Sequence, residues 1–369
     1  MMRSVKRSDL IYDFPAHLIA TAPRQDHRCL LWNGSPNEVS SEELMSEFKK
    51  GDVVVINDTK VSKRRIFTVD GLEVLFLGPA GGPAGSPSRD PEKVSIDHLN
   101  EPSSEGDPAG DQWHVLFPAR GWKLGAKTIL PGDVEMTLIA KGLPQTVRVS
   151  SSLGETYFQR FGEFALPPYI QKARDERHMK SEDEKWYQTE WAEKAGSSAA
   201  PTASLHFTNQ DWQNLKDRGV IVEKVTLHVG LGTFLPIKVE DLNEHDMHGE
   251  WGYISQSTQQ TILEAKKKGH RIWALGTTSL RILESWPKGL LQKTEEGHLQ
   301  GETHLFIKPG FQFEVVDVLM TNFHQPESTL LCLVSAFAGT ENVRSAYQWA
   351  IEKEFRLFSY GDLSVWMKS

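Results

Sequence analysis

The run Asp52-Val53-Val54-Val55-Ile56 is β-branched and apolar at consecutive positions, and Asn57-Asp58 follows it, a pattern that predicts a strand buried on both faces and ending in a turn. From Arg65 to Phe161 the apolar runs are all short: LEVLFL from Leu72, WHVLF from Trp113, TIL from Thr128, VEMTLIA from Val134, TVRV from Thr146 and TYFQRF from Thr156. Short strands separated by Gly and Pro turns predict a small barrel or sandwich. Residues 78–110 have almost no apolar content and cannot form a packed core, so they are expected to be a mobile hairpin insertion.

After Leu166-Pro167-Pro168-Tyr169-Ile170 helical and strand patterns alternate. Ser181-Glu182-Asp183-Glu184 has the form of a capping box opening a helix through Trp186 and Tyr187, and Thr208 caps a helix that stops at Gly219. IVEKVTLHV from Ile221 predicts a buried strand. A helix from about Ser257 to Lys268 stops at Gly269, and the strand RIWAL follows from Arg271. Helical SLRILES comes after Gly276-Thr277-Thr278, then strand-like THLFI from Thr303 and VVDVLM from Val315, then a helix after Pro326-Glu327-Ser328. Such alternation predicts an α/β layer with a mixed or parallel sheet. Because the Val53 strand precedes the all-β stretch, the simplest organisation is a discontinuous α/β domain, 1–62 and 162–369, a mixed α/β sandwich. A small antiparallel β-barrel domain, 63–161, is inserted into it.

The chain has 369 residues and a formal net charge of −8, which argues against coating nucleic acid with the whole surface and leaves room only for local basic patches. Two are available: Lys60, Lys63, Arg64 and Arg65 in KVSKRR, and the charge-diluted Lys172, Arg174 and Arg177. Cys29 and Cys332 are too few for a disulfide framework, and there is neither a signal-peptide pattern nor an apolar run long enough to span a bilayer. These features fit a cytoplasmic enzyme.

Candidate chemistry gathers where predicted strands end. In ALGTTSLR a strand meets a helix at Gly276, Thr277 and Thr278, where free N–H groups and the helix dipole suit a carboxylate or phosphate; an ordinary capped turn is the plainer alternative. TLHVGLGT places His228, Gly230 and Thr233 at another strand end, but it lacks the full G-x-G-x-x-G pattern, and Pro236 prevents the helix that such a fingerprint requires. EHDMHGE carries His245 and His248 as HxxH, not HExxH, without a further recognisable ligand pair, so no metal is expected. TNFHQPEST sets Asn322, His324 and Glu327 at one lip, where His324 suits proton transfer. In FSYGD, Tyr360 can supply stacking for a base, or simply pack in the core.

Taken in order from about Phe14 to Asp362, these blocks resemble the queuosine ribosyltransferase-isomerase family. The stretches that carry the resemblance are GDVVVINDTKV at Gly51, LPPYI at Leu166, YQTEWAEKAGSSAAPTASLHF at Tyr187, VTLHVGLGTFLPI at Val225 and EHDMH at Glu244. ALGTTSLRILES at Ala274, FIKPGF at Phe306, TNFHQPESTLLCLVSAFAG at Thr321 and FSYGD at Phe358 complete the set. The resemblance implies an α/β domain with an inserted β-barrel. It also implies transfer and isomerisation of the ribosyl group of S-adenosylmethionine onto a 7-aminomethyl-7-deazaguanine base in a tRNA anticodon, with loss of adenine and methionine. S-adenosylmethionine is then a consumed co-substrate, no resident cofactor is expected, tRNA is the partner, and a monomer away from membranes is expected.

On this reading the base is sought among His206, His228, His248 and His324. Asp58, Arg65, Thr202, Gly230, Thr233, Gly276, Thr277, Thr278, Arg281, Asn322, Glu327 and Tyr360 are the substrate-binding candidates, with Arg281 and the Gly276 helix start receiving the methionine carboxylate. The donor is expected near Thr277 and His228, with tRNA passing the Lys60 to Arg65 loop. Four residues at three places depart from the family pattern. Ser204 stands where glycine is usual, which would strain a backbone of positive φ; Lys63-Arg64 replace Pro-Ala; Gly249 replaces a serine. The competing readings are a conventional methyltransferase, a metal-dependent hydrolase built on His245 and His248, and a non-catalytic RNA-binding module.

Overall fold

The computed structural model describes residues 6–24, 26, 28–80, 111–230 and 237–368. The chain divides into two units: Met1–Lys60, Pro167–Lys194 and Ala200–Ser369 form one, Val61–Leu166 with Ala195–Ala199 the other. Most of the hairpin insertion expected at 78–110 lies outside the described residues, as does Thr233.

With strands numbered in chain order, ten of those described in the first unit form one sheet. Its order is β15 (Gln292–Lys293), β16 (Leu299–Thr303), β13 (Glu250–Ile254), β12 (Ile221–Leu227), β3 (Val53–Asn57), β14 (Ile272–Leu275), β17 (Val318–Asn322), β18 (Leu363–Met367), β1 (Cys29–Trp32) and β2 (Pro36–Val39). The central four, β12, β3, β14 and β17, run parallel. Val53 to Asn57 are all buried, as the consecutive apolar run requires of a strand covered on both faces.

Alternation along the strands sorts the side chains between two cores. Val53, Val55, Ile272, Ala274 and Leu319 pack with Ile262 of α6 (Gln256–Lys267), Leu280 of α7 (Thr277–Ser285), Leu331 of α8 (Thr329–Ala338) and Tyr347 of α9 (Thr340–Glu352). Val54, Ile56, Trp273, Leu275 and Met320 face Leu44 of α1 (Ser41–Glu47) and Trp212 and Leu215 of α5 (Asn209–Asp217). Truncating a fully buried leucine such as Leu280 to alanine costs about 2–5 kcal/mol. The predicted helix starts hold at Thr208 and Ser328, whose hydroxyls accept the amides of Asp211 (3.3 Å) and Leu331 (3.1 Å). Within this sheet the chain leaves β3 for β12 on one side and leaves β14 for β17 on the other. The carboxyl ends of β3 and β14 are therefore a topological switch point, the place where open α/β sheets bind ligands.

In the second unit the order is β5 (Arg65–Phe67), β6 (Glu73–Pro79), β7 (Gln112–Leu116), β10 (Gln145–Val149), β9 (Val134–Ala140) and β8 (Lys127–Leu130), all neighbours antiparallel. Val69 N–H donates to Ile129 O (2.8 Å), bringing the β5–β6 turn against β8 and nearly closing a barrel around Val74, Phe76, Val115, Leu138 and Val147. The strands β4 (Thr59–Val61) and β11 (Lys194–Ser197) lie where the chain passes from one unit to the other. The expected fold class, a mixed α/β layer with an inserted small antiparallel barrel, is the one observed.

Four local expectations fail for identifiable reasons. TYFQRF is not a strand but the helix α2 (Glu155–Phe161), because Tyr157, Phe158 and Phe161 at helical spacing put three rings on one side, with Phe158 fully buried in the barrel core. The Ser181 capping box does not form: Asp183 instead accepts from Arg174 and from Lys180 N–H, and α4 (Asp183–Trp186), which follows α3 (Pro168–Arg174), is a single turn. THLFI is irregular after β16 because Arg281 takes the carbonyls of Thr303 and Leu305. VVDVLM becomes a strand only at Val318, since the amides of Val315 and Val316 donate to Glu284. Among the described residues no helix is long and apolar enough to cross a membrane.

Candidate active site

At the switch point the backbone ladder between β3 and β12 ends at Asn57↔Val225, and Asp58 N–H still donates to Val225 O (3.0 Å). Beyond it the buried Asn57 side chain acts as one more rung: Oδ1 accepts from Leu227 N–H (3.0 Å) and Thr59 N–H (3.1 Å), and Nδ2 donates to Leu227 O (3.0 Å). This strap splays the strand ends while holding Asp58, Thr59 and His228 in register. Thr226 Oγ1 donates to Asp58 Oδ1 (2.7 Å), yet burial dominates and pushes the Asp58 carboxyl above its ordinary range. Thr59 Oγ1 lies 2.7 Å from His228 Nδ1, and the His228 ring stacks on Trp251 at 5.5 Å and 18°. Burial lowers His228 to about 4, so its ring is neutral at pH 7.

Across the crevice, β14 ends at Gly276, whose φ of 86° only glycine adopts without strain, and α7 begins with no side-chain cap. Its first N–H groups are thus free of side-chain acceptors, beside the Thr277 and Thr278 side chains. Thr278 Oγ1 is sealed from solvent without a hydrogen-bond partner among the described residues. Thr277, Thr278, Glu250, Met247, Phe306 and Thr329 line a small pocket at this helix start. At the end of β17, Asn322 Oδ1 accepts from Thr202 Oγ1 (2.8 Å) and Nδ2 lies 3.1 Å from His206 Nε2. Asp58, His228, Gly230, Gly276, Thr277, Thr278 and Asn322 therefore stand at neighbouring strand ends, joined by Thr202 and His206.

Other expected site residues are committed elsewhere. Arg281 is buried and four of its five N–H groups are taken: Nε by Leu305 O (3.0 Å), Nη2 by His248 O (3.1 Å) and Thr303 O (3.2 Å), and Nη1 by Glu250. It shapes the pocket wall instead of standing as a free carboxylate clamp. Arg65, 1% exposed, is paired inside the second unit with Glu73 (2.7 Å) and Glu163 (3.3 Å). Arg64 is bonded to Glu155 and Arg174 to Asp183, which depletes both basic clusters and leaves Lys60, Lys172 and Arg177 exposed.

Tyr360 is buried and donates to Asp183 (3.2 Å), so its ring is not open for base stacking. Glu327, at φ 56°, lies 3.3 Å from Arg7 Nε. His324 is buried; its Nε2 lies 2.9 Å from Thr321 Oγ1, its carbonyl accepts from Tyr12 and its amide donates to Tyr347. Burial lowers it to about 3. His248 is exposed, and among the described residues no group of three or more His, Cys, Asp or Glu side chains converges as a metal site.

The departures resolve similarly. Ser204 does not have positive φ, so the strain expected there is absent; its hydroxyl is instead fully buried without a hydrogen-bond partner among the described residues. At Gly249 a Cβ would come within 1.8 Å of Glu302 Oε1, the far end of an exposed, flexible side chain that can swing aside, so nothing in the structure requires glycine there. Sequence reasoning passed over Asn57, Thr59, Thr226 and Glu250 as working residues. The Asn-Asp-Thr sequence closing a β-branched run was the available signal, because polar groups at a buried strand end require partners.

Comparison with known proteins follows this geometry. The chain matches the family model described as queuosine biosynthesis protein over residues 7–365. It is 39% identical over 367 residues to a protein of Dinoroseobacter shibae named S-adenosylmethionine:tRNA ribosyltransferase-isomerase, covering 97% of each chain. A Staphylococcus aureus protein of the same name is 37% identical over 362 residues, covering 95% of this chain and 96% of its own. The crystal structure of an S-adenosylmethionine tRNA ribosyltransferase from Thermotoga maritima, 24% identical, superposes with a TM-score of 0.51 over 97% of this chain and 100% of that one, a likeness of fold.

Proposed function

The chain belongs to the queuosine biosynthesis protein family, and we propose that it is an S-adenosylmethionine:tRNA ribosyltransferase-isomerase. It transfers the ribosyl carbons of S-adenosylmethionine to the aminomethyl group of a 7-aminomethyl-7-deazaguanine in a tRNA anticodon and isomerises them to give epoxyqueuosine-tRNA, releasing adenine and methionine. The near full-length match to enzymes named for this activity carries the reading.

The switch-point crevice supports it. The uncapped start of α7, with Thr277 and Thr278, suits the methionine carboxylate of a donor consumed in the reaction, and no resident cofactor is required. The reaction needs a base for the acidic proton beside the sulfonium and for the attacking ammonium. Asp58, its carboxyl raised by burial, and the half-buried His206 beside Asn322 suit that work better than the committed His324.

The test is label transfer. With S-adenosylmethionine labelled either in the ribosyl carbons or in the methyl group, only the ribosyl label should enter tRNA carrying the aminomethyl base. Methyl label in the tRNA would replace this reading with a methyltransferase, and no label from either donor would remove it.

A further inference from the structure

Thr59 is fully buried, and its hydroxyl has one hydrogen-bond partner among the described residues, Nδ1 of His228. A hydroxyl has one proton to give and two lone pairs to offer. If Nδ1 carried the ring proton, it would donate to Thr59 Oγ1, and the Thr59 O–H would be left with no acceptor, a buried donor unpaired at about 1–3 kcal/mol. If Nδ1 is bare, the Thr59 O–H donates to it and both groups are satisfied. The pair cannot easily turn away from this choice. Thr59 N–H is tied to Asn57 Oδ1, the His228 backbone N–H donates to Trp251 O (2.9 Å), and the Trp251 ring covers one face of the imidazole.

The ring proton must then sit on Nε2. That nitrogen has no hydrogen-bond partner among the described residues and is not one of their sealed, unpartnered polar atoms, which leaves it open to an acceptor at this strand end. We infer that Thr59 holds His228 as its Nε2–H tautomer, so that His228 offers the crevice a hydrogen-bond donor and is not the proton acceptor of the reaction. Thr59 is accordingly a positioning residue. Burial keeps the ring uncharged near neutral pH, and a neutral imidazole N–H can polarise an acceptor without first being protonated.

Under the proposed reaction, on which only the identity of the ligand rests, the acceptor is a purine nitrogen of the sulfonium nucleoside, an atom that gains electron density as the purine departs. A preorganised donor of this kind is worth about 10²–10³ in rate.

Two measurements test the inference. In full-length protein labelled with ¹⁵N at histidine, two-bond ¹H–¹⁵N correlations report which ring nitrogen is protonated without any turnover, and the His228 signals are identified by their loss in His228→Gln. Nε2 should carry the proton in the wild type and in Thr59→Ser, with the preference weakened in Thr59→Val; a proton on Nδ1 in the wild type overturns the inference. In turnover, His228→Gln, whose amide can place an N–H near the Nε2 position, should lose less than about tenfold in adenine release, whereas His228→Phe should lose about a hundredfold or more. Equal, large losses in both variants mark a base and overturn it. The spectrum needs no substrate, so its failure is distinct from that of the transferase reading, which fails if wild-type protein releases no adenine.

Discussion

Arg281 and Glu250 form an ion pair sealed within the α/β unit, their side chains 6% and 4% exposed, and the second Glu250 oxygen accepts the Gly230 N–H at 3.2 Å. The pair ties α7 to β13 and to the loop after β12, and both of its side chains line the pocket together with Thr277 and Thr278.

Removing one partner of such a pair leaves a buried charge uncompensated. Arg281→Gln or Glu250→Gln should therefore lower stability by about 3–5 kcal/mol, read from equilibrium urea unfolding. The double replacement Arg281→Met with Glu250→Leu should recover part of that loss. Single variants of wild-type stability would show the pair to be incidental.

At the start of α7 the expected effect falls on binding. A hydrogen bond to a charged group contributes about 1.5–3 kcal/mol. Thr277→Val should then weaken S-adenosylmethionine binding in calorimetry by roughly ten- to a hundredfold, with a urea midpoint near wild type. Unchanged affinity would move the carboxylate site elsewhere.

Ser204 carries a buried hydroxyl with no partner among the described residues, and such a group costs about 1–3 kcal/mol. Ser204→Ala should stabilise the protein by about 1 kcal/mol, visible as a higher urea midpoint. A lower midpoint would mean that the hydroxyl is satisfied by ordered water.

Stability should also erode in acid. His228 and His324 are held at about 4 and about 3 by burial, so below the ordinary histidine value of about 6.5 the unfolded chain binds protons that the folded chain refuses. Their contribution is complete above that value and is lost progressively as pH falls toward 4 and 3. His324→Asn should flatten the dependence of melting temperature on pH between about 6.5 and 4, whatever its effect at pH 7. An unchanged slope would show that His324 titrates normally.

Sequence pattern revealed the layers because burial on two faces or one leaves its period in residue type: the run Val53 to Ile56 is a central strand, and Thr208 and Ser328 start helices. It placed polar groups at the ends of those strands for the same reason. What it could not show is who partners whom. Arg65, Arg281 and Tyr360 have the side chains of a binding site, and each is spent on a carboxylate distant in sequence, Glu163, Glu250 and Asp183. Thr59 looks like any strand threonine until His228 arrives 169 residues later. The aromatic spacing of Tyr157, Phe158 and Phe161 fitted a helix as well as a strand, and the barrel core that decided the matter is assembled from distant strands.

The most direct test of the account is product stoichiometry. Purified protein incubated with S-adenosylmethionine and tRNA bearing 7-aminomethyl-7-deazaguanine should release adenine and methionine in equal amounts, one of each per modified tRNA. Formation of S-adenosylhomocysteine, or an absence of adenine with a verified tRNA substrate, would contradict it.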